Sequence, residues 1–186
     1  MKEFEHPALL LRDGGTTPAD AAAQFAFLEQ IRDTVNAGTM AIITIRNVRA
    51  QLDDRLASVH GSDSTALSPA AAELRDSLSA AEQRLYQVHL RADEDALNYP
   101  AAVVERISAL TAHVSAVTAR PTDQQVGVFR QFAPILQRNL IAYKRVLAVE
   151  LPKINEKLQK LGKPVIQPQA KELRPPKTVA SIRHAT

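Results

Sequence analysis

Aliphatic residues recur at steps of three and four along four stretches of this chain. Such spacing places the apolar side chains on one side of an α-helix, and that side must be buried against neighbouring helices. The clearest stretch carries Leu28, Ile31, Val35, Gly38, Ile42, Ile45, Arg49, Leu52, Leu56 and Val59. The pattern predicts an all-α fold, an antiparallel up-down-up-down four-helix bundle, because short connections make successive helices antiparallel neighbours.

Capping residues, glycines and prolines set the expected helix bounds. We predict helices over residues 17–60, 68–92, 98–120 and 122–162, of which the first and fourth are long. Thr122 and Gln125 form a predicted capping box at the start of the fourth helix. Pro134 and Pro152 lie inside this helix and are expected to kink it without breaking it, since the apolar ladder keeps its phase through both.

Three regions follow from these bounds. Residues 1–16 are predicted to be an extended lead-in, residues 17–162 the helical bundle, and residues 163–186 a flexible, proline-rich basic tail. The tail contains four prolines and no hydrophobic period, so it is not expected to bury enough surface to offset the entropy cost of ordering it. Removing residues 167–186 is therefore expected to leave the fold intact.

The basic character of the chain comes from this tail. Of 23 Lys and Arg and 20 Asp and Glu, residues 163–186 hold five bases and one acid, which leaves 18 bases and 19 acids in residues 1–162. A nucleic-acid-binding domain usually shows a basic stripe on its folded face, so we expect no nucleic-acid partner. No apolar run approaches the roughly 20 residues of a transmembrane helix, and the first 15 residues lack the features of a signal peptide.

Residue types that carry catalysis are sparse or unsuitably spaced. The chain has no cysteine, which excludes thiol catalysis, zinc–thiolate sites and disulfides. It has no glycine-rich phosphate loop, no Gly-x-Ser-x-Gly elbow and no His-Glu-x-x-His motif. A Glu-x-x-His motif, Glu3 to His6, lies in the lead-in, whereas a di-iron bundle needs two such motifs on facing helices. We therefore assign no catalytic, cofactor-binding or metal-binding residue, and expect no enzymatic activity.

Gly38 interrupts the first aliphatic ladder. Glycine costs about 1 kcal/mol relative to alanine inside a helix, so its presence needs a reason. We interpret it as a point of close helix approach, with a flexible hinge as the alternative. Tyr86 and Tyr99 are interpreted as packing residues rather than as stacking platforms.

Arg49 also lies on that ladder. We expect its stem to lie along the core with its charged head at the rim, and contact with a ligand or partner is the alternative. If the first two helices are antiparallel, counting from their connection predicts that Arg49 or Arg46 reaches Glu82. Similar counting from the end of the fourth helix places Arg32 near Glu150.

Five stretches carry a resemblance to a known family. They are AAQFAFLEQIRDTVN at 22–36, IRNVRAQLD at 45–53, LYQVHLRADEDALNYP at 85–100, ARPTDQQVGVF at 119–129 and ELPKINEKLQKLGKP at 150–164. In this order they resemble the C-terminal helical region of bacterial sortilin-like, BNR-repeat proteins. The Leu-Asn-Tyr-Pro turn and the Leu-Pro-x-x-Asn stretch are the most specific, and none of the five is a catalytic motif.

The resemblance implies a non-catalytic helical accessory or interaction domain. In that family the region follows a β-propeller, commonly described as a glycosyl hydrolase, and a small β module, and members usually bear an export signal. None of these parts is present here, so any implied hydrolase activity belongs to a propeller that this chain lacks. The expected partner is a propeller domain or another protein, and the implied compartment is periplasmic or extracellular.

A second interpretation is a free-standing cytoplasmic adaptor, whose bundle or basic tail binds a protein partner or an anionic surface. It applies if the chain is complete as given. Both interpretations predict no cofactor, no metal and no transmembrane segment, and both leave the oligomeric state open. A propeller-coding segment next to this gene would favour the first interpretation.

Overall fold

The computed structural model describes residues 16–90 and 93–169. Within these ranges the chain forms α1 (Pro18–Ala57), α2 (Ser62–Leu85), a 3₁₀ helix (Asp93–Leu97), α3 (Val103–Ser115) and α4 (Asp123–Lys160). No strand occurs in the described ranges. The predicted all-α fold is confirmed, and so are the long first and fourth helices, of 40 and 38 residues.

The bounds of α2 differ most from the predicted ones. The helix begins at Ser62 rather than Ser68, so Pro69 lies inside it. Pro69 has no N–H to donate to the Thr65 carbonyl. Both residues are exposed, so water can replace the missing donor. The added turns bury Leu67, which is 1% exposed. At its other end α2 stops at Leu85 instead of continuing to residue 92.

The start of α4 is capped as predicted. The backbone N–H of Thr122 donates to Oε1 of Gln125 at 2.9 Å, and the N–H of Gln125 donates to Oγ1 of Thr122 at 3.2 Å. These two bonds satisfy backbone donors that the first helical turn leaves without partners. The helix then continues through both Pro134 and Pro152, so neither proline breaks it.

The described chain divides into two compact units. The first unit holds the described residues up to Gly38 and Arg84–Asn139, which include α3 and the first segments of α1 and α4. Its largest buried apolar side chains come from all three helices and from the end of α2: Phe27, Ile31, Leu85, Val103, Val104, Ile107, Leu110, Val114 and Leu136. The apolar ladder of each of the four α-helices therefore supplies part of the core of this unit.

The second unit holds Thr39–Gln83 and the described chain from Leu140 onward. It consists of the later segments of α1 and α4, most of α2, and the residues that follow α4. Its core contains Ala41, Ile42, Ile45, Val48, Leu52, Val59, Leu67, Ala71, Leu74, Leu78, Ala81, Leu140, Tyr143, Leu151, Ile154, Leu158 and Ile166. An ion pair between Lys153 of α4 and Glu73 of α2, at 3.3 Å, joins these two helices.

Helix directions differ from the predicted alternation. In the first unit, Phe27 of α1 meets Phe129 of α4, with ring centroids 5.5 Å apart, and Gly38 lies beside Leu136 further along. The segments of α1 and α4 therefore run in the same direction there. Gln24 of α1 contacts the end of α3, at the carbonyl of Val114, so α3 runs against α1. The prediction assumed that every connection reverses the chain, which the long connection from residue 86 to 102 need not do.

The second unit has the same arrangement around α2. Ser77 of α2 donates to Glu150 of α4, whereas Ala66, earlier in α2, accepts from Lys157, later in α4. Thus α2 runs against α4, and its contacts with α1 described below show that it also runs against α1. The predicted approach of Arg32 to Glu150 required antiparallel α1 and α4 and is wrong. Arg32 instead pairs with two neighbours on its own helix, Glu29 and Asp33.

Residues 163–169, which the sequence placed in the flexible tail, lie against the helices of the second unit. We call this segment the strap. Its Ile166 side chain is 1% exposed. The packed part of the second unit therefore extends beyond residue 162, although α4 ends at Lys160, because an aliphatic anchor and a set of backbone hydrogen bonds hold the chain. The rest of the predicted tail, and residues 1–15 of the lead-in, lie outside the described residues.

Gly38 is a point of close helix approach in the first unit. A β-carbon added at this position would lie 2.5 Å from Cγ2 of Val104 and 3.4 Å from Cδ1 of Leu136. The first distance is well inside van der Waals contact. Val104 is buried and β-branched, so its side chain has little freedom to move aside. The interpretation of Gly38 as a packing glycine is confirmed.

We expect Gly38→Ala to lower the free energy of unfolding by about 1–3 kcal/mol. Overpacking against Val104 outweighs the roughly 1 kcal/mol that alanine gains in helix propensity. Urea unfolding measures the change. Adding Val104→Ala should restore part of the lost stability, because it removes the methyl group that the new β-carbon meets.

Gly127→Ala is the matched control in α4. A β-carbon at residue 127 would meet no atom within 4 Å, so this substitution should raise the free energy of unfolding by up to about 1 kcal/mol. Equal stabilities of the two alanine variants would contradict the close-approach interpretation and favour the hinge.

Candidate protein-interaction surfaces

No metal-binding cluster is found in the described ranges, where no group of three or more His, Cys, Asp and Glu side chains could hold an ion. The clear pKa shifts have ordinary causes. Hydrogen bonds from Thr17 and Arg120 lower the pKa of Asp20, and Lys160 lowers that of Glu156. Burial raises the pKa of Tyr143. None of these groups forms a pair of acid and base aimed into a cleft, which is the arrangement typical of a catalytic site.

Tyr99, interpreted from the sequence as a packing residue, is 41% exposed and meets a histidine ring. The ring of His89 stacks on Tyr99, with centroids 5.2 Å apart and planes at 30°. His113 lies near the end of α3, where its carbonyl accepts a hydrogen bond from the Gln125 side chain at 3.0 Å. The depression beside it, lined also by Thr122, is shallow and open to solvent.

A buried carboxylate lies where α2 meets α1 in the second unit. Glu82 is 4% exposed. Its Oε1 accepts a hydrogen bond from Nε of Arg46 at 2.6 Å, and its Oε2 accepts one from Nη1 of Arg49 at 2.8 Å. Two turns before Glu82 on α2, Arg75 pairs with Asp53, which lies one turn after Arg49 on α1. The predicted contact of Arg49 or Arg46 with Glu82 is confirmed, and it sets α1 and α2 antiparallel.

These arginines are structural groups rather than free anion ligands. Each donates to the same carboxylate, whose burial makes its charge costly unless it is paired. The contact favours one register, because a shift by one turn would take Glu82 away from at least one of its two arginine partners.

Side-chain amides of both long helices bind the backbone of the strap. Asn155 of α4 makes two hydrogen bonds to Ile166: its Nδ2 donates to the carbonyl at 2.9 Å, and its Oδ1 accepts from the N–H at 2.8 Å. Gln51 of α1 makes the same pair with Gln167, at 2.9 Å and 3.1 Å. Successive residues of an extended chain point their backbone groups to opposite sides. The strap therefore lies between α1 and α4, bound by one amide on each side.

Further contacts continue this path along α1. Asn47 donates to the carbonyl of Gln169 at 3.0 Å, and Arg55 donates to the carbonyl of Pro164 at 3.0 Å. Since strap numbers rise as α1 numbers fall, the strap runs against α1. Gln51 also donates to Oδ1 of Asn47 at 2.7 Å, which fixes the orientation of the Gln51 amide.

The turn at the end of α4 directs the strap into this groove. Gly162 has φ of +64°, a left-handed conformation that favours glycine. The N–H of Lys163 donates to the carbonyl of Leu158 at 2.9 Å, and that of Gly162 donates to Gln159 at 3.0 Å. This is the Schellman pattern of helix ends, and it folds the chain back onto the helix that it has just left.

The outer face of α4 in the second unit exposes apolar and basic side chains together. We define it as Ile141, Lys144, Arg145, Ala148 and Val149, which follow one another at helical spacing. Ile141 is 59% exposed and Val149 is 50% exposed. Lys144 and Arg145 form no ion pair with another described residue. Between Asp123 and Glu150, α4 has no acidic side chain at all.

Sequence reasoning missed both the strap groove and the outer face. The signal for the strap was present in the aliphatic pair Val165 and Ile166, together with amides at Asn47, Gln51 and Asn155 on the flanks of two ladders. This pair was the candidate contact if the tail docked, but docking was not predicted because proline-rich segments without a period usually stay unpacked. The outer face is hard to foresee because a ladder identifies the buried side of a helix and says little about the opposite one.

In the part of the chain that the structure describes, no helix combines the length and apolarity needed to cross a membrane.

A double-mutant cycle tests the buried carboxylate. Alanine substitutions at Arg49 and Glu82, singly and together, should give a coupling free energy above about 0.5 kcal/mol in urea unfolding. Alanines at Lys160 and Glu156 provide the control, since both of these paired side chains are exposed and their coupling should stay at or below about 0.5 kcal/mol. A coupling near zero for the first pair would show that Glu82 does not set the register.

Ile166→Ala should lower the free energy of unfolding by about 1–2 kcal/mol, less than the 2–5 kcal/mol of a typical core Ile→Ala change. The loss is limited because the strap can detach instead of leaving a cavity. Ile141→Ala, at an exposed position of the same unit, should change stability by less than about 0.5 kcal/mol. Equal effects of the two substitutions would mean that the strap contributes no stability.

Comparisons of this chain with protein-family models, with curated proteins and with solved structures gave no match. The resemblance to the helical region of sortilin-like proteins therefore receives no support from them, and a functional assignment depends on the surfaces described above.

Proposed function

We propose that this chain is a non-catalytic helical interaction domain that binds an acidic segment of a protein partner through the outer face of α4. The observation that carries the proposal is the coincidence of exposed aliphatic side chains, Ile141 and Val149, with the basic residues Lys144 and Arg145. Scattered exposed apolar residues are normal on a protein surface. Here they flank cations that form no ion pair with another described residue, and exposed apolar groups rimmed by polar residues are a feature of interaction sites.

The chemistry of the partner follows from this face. Aliphatic groups flanked by cations favour an amphipathic segment that presents aliphatic side chains together with Asp or Glu. The salt bridges alone would add little affinity, because exposed ion pairs are worth at most about 1 kcal/mol. Ile141 and Val149 would supply most of the binding free energy by burying their exposed area, while Lys144 and Arg145 would select acidic partners.

A protein partner is favoured over an anionic lipid surface. Electrostatic binding to anionic lipids typically uses clusters of about 4–8 basic residues, whereas this face offers two. It also lacks the Trp and Phe side chains that commonly insert into the interfacial region of a bilayer. The non-catalytic part of the proposal is favoured by the shallow depressions and by the ordinary causes of the pKa shifts.

Site-specific photo-cross-linking tests the proposal. A photoreactive residue in place of Val149, in the full chain and in cells of the source organism, should capture a protein, which is then identified and purified. Calorimetry with the purified partner should give binding at least about tenfold weaker for the variant Lys144→Glu/Arg145→Glu. The weakening should grow at low salt, because screening reduces the contribution of exposed charges.

The control is Lys157→Glu/Lys160→Glu, which makes the same charge change further along α4. It should bind the partner as the unmodified chain does. An equal loss of affinity in both variants would mean that binding depends on the net charge of the chain and not on the outer face of α4, which would overturn the proposal. Binding to phosphatidylserine vesicles, together with no captured protein, would replace it with the anionic-surface adaptor that the sequence left as an alternative.

A further inference from the structure

We infer that the groove between α1 and α4 of the second unit is a binding site for extended peptides, which the strap occupies in cis. A partner segment of the same chemistry, an extended chain with one aliphatic anchor, would displace the strap and bind in its place. This inference concerns a different surface from the outer face of α4 and does not depend on the function proposed for that face.

The first support is that the groove contacts mainly the backbone of its occupant. Both backbone groups of Ile166 are bound by Asn155, and both backbone groups of Gln167 are bound by Gln51. An amide side chain that both donates to and accepts from one residue provides the same pair of bonds as a neighbouring β-strand. These backbone bonds are available to any residue type except proline, so this part of the recognition is independent of sequence.

The second support is that the strap uses a single anchor. Ile166 is buried and its neighbour Val165 is half-buried, whereas Pro164, Gln167, Pro168 and Gln169 are exposed. Backbone hydrogen bonds combined with a pocket for one side chain is the recurring way in which proteins recognise extended peptides. The site therefore selects an aliphatic residue at one position and tolerates variation around it.

The third support is the arrangement of the amide groups before the strap is considered. Asn47 and Gln51 lie one helical turn apart on α1, and Gln51 donates to Asn47 at 2.7 Å. This contact orients the Gln51 amide towards the groove and lowers the entropy cost of binding a peptide there. Asn155 lies across the groove on α4, so both edges of an extended chain are met.

The tether determines how tightly the groove is closed. The strap follows α4 through a turn at Gly162, and a short tether of this kind gives an effective concentration of about millimolar. A second copy of the chain would offer the same seven residues without that advantage. A partner peptide can overcome the strap's effective concentration through additional contacts beyond the ends of the strap. A partner segment is therefore the favoured occupant.

The test uses a synthetic peptide with the sequence of residues 163–169, KPVIQPQ, added to ¹⁵N-labelled full-length chain up to about millimolar concentration. Ile166→Asp in the chain should release the strap, because the carboxylate cannot remain in the apolar pocket. This variant should bind the peptide at least about tenfold more tightly than the unmodified chain does. The perturbed resonances should include those of Asn47, Gln51 and Asn155.

Two controls separate peptide recognition from non-specific association. Adding Asn155→Ala to Ile166→Asp removes two hydrogen bonds to the peptide and should weaken binding about tenfold. A peptide with Asp in place of its isoleucine should not bind. The proposal is overturned if the folded Ile166→Asp chain shows no shifts at these peptide concentrations, if adding Asn155→Ala leaves the affinity unchanged, or if the Asp-containing peptide binds.

Gly162→Ala provides a second route should Ile166→Asp fail to fold. It leaves the anchor and every groove side chain in place but strains the turn, since alanine disfavours a positive φ. It should bind the peptide more tightly than the unmodified chain, and equal binding would overturn the proposal. Sedimentation of the unmodified chain completes the test: a dimer that the peptide dissociates would identify a second copy as the occupant and refute the partner-peptide assignment.

Discussion

Both units depend on the burial of the apolar stripe along α1. Ile31, Ile45, Val48 and Leu52 on this stripe are fully buried, and each such side chain contributes about 1.5–3 kcal/mol through removal from water. The stripe belongs to a helix of 40 residues, whereas α2 has 24 and α3 has 13. Neither shorter helix can cover it alone. In one unit the cover comes from α3 and in the other from α2, each together with a segment of α4.

Polar side chains then decide how the buried surfaces are aligned. Aliphatic contacts are tolerant of small shifts along a helix, but a buried carboxylate or a helix-flanking amide is satisfied only in one position. Glu82 with its two arginines has this role between α1 and α2. Asn155 and Gln51 have it for the strap. Such groups add little net stability relative to apolar replacements; their contribution is to make one register much better than the others.

The same physics explains why the surfaces suited to binding lie where they do. A helix in a three-helix unit buries one side and leaves the opposite side for solvent or a partner, which is the position of Ile141 and Val149 on α4. In the second unit α1 and α4 also leave a groove between them. The strap fills that groove, and the inference that another extended chain could replace it rests on the amides that bind its backbone. Both surfaces suit protein partners, in keeping with a domain whose apolar residues mostly serve its core.

The sequence by itself determined where the four α-helices lie, although not the ends of α2, because periodic burial, capping residues and glycine or proline positions act over a few residues. It also predicted the contact of Arg49 and Arg46 with Glu82, since the connection between α1 and α2 is short enough to fix their register by counting. Only the tertiary structure decided the shared direction of α1 and α4, because the chain from residue 86 to 102 is too long for local rules to specify a reversal. It alone decided the docking of Ile166, because one anchor and a few amides from distant parts of the chain leave no periodic signal. Burial of a stripe is a local property of sequence, whereas the choice of what covers it depends on residues far apart in the chain.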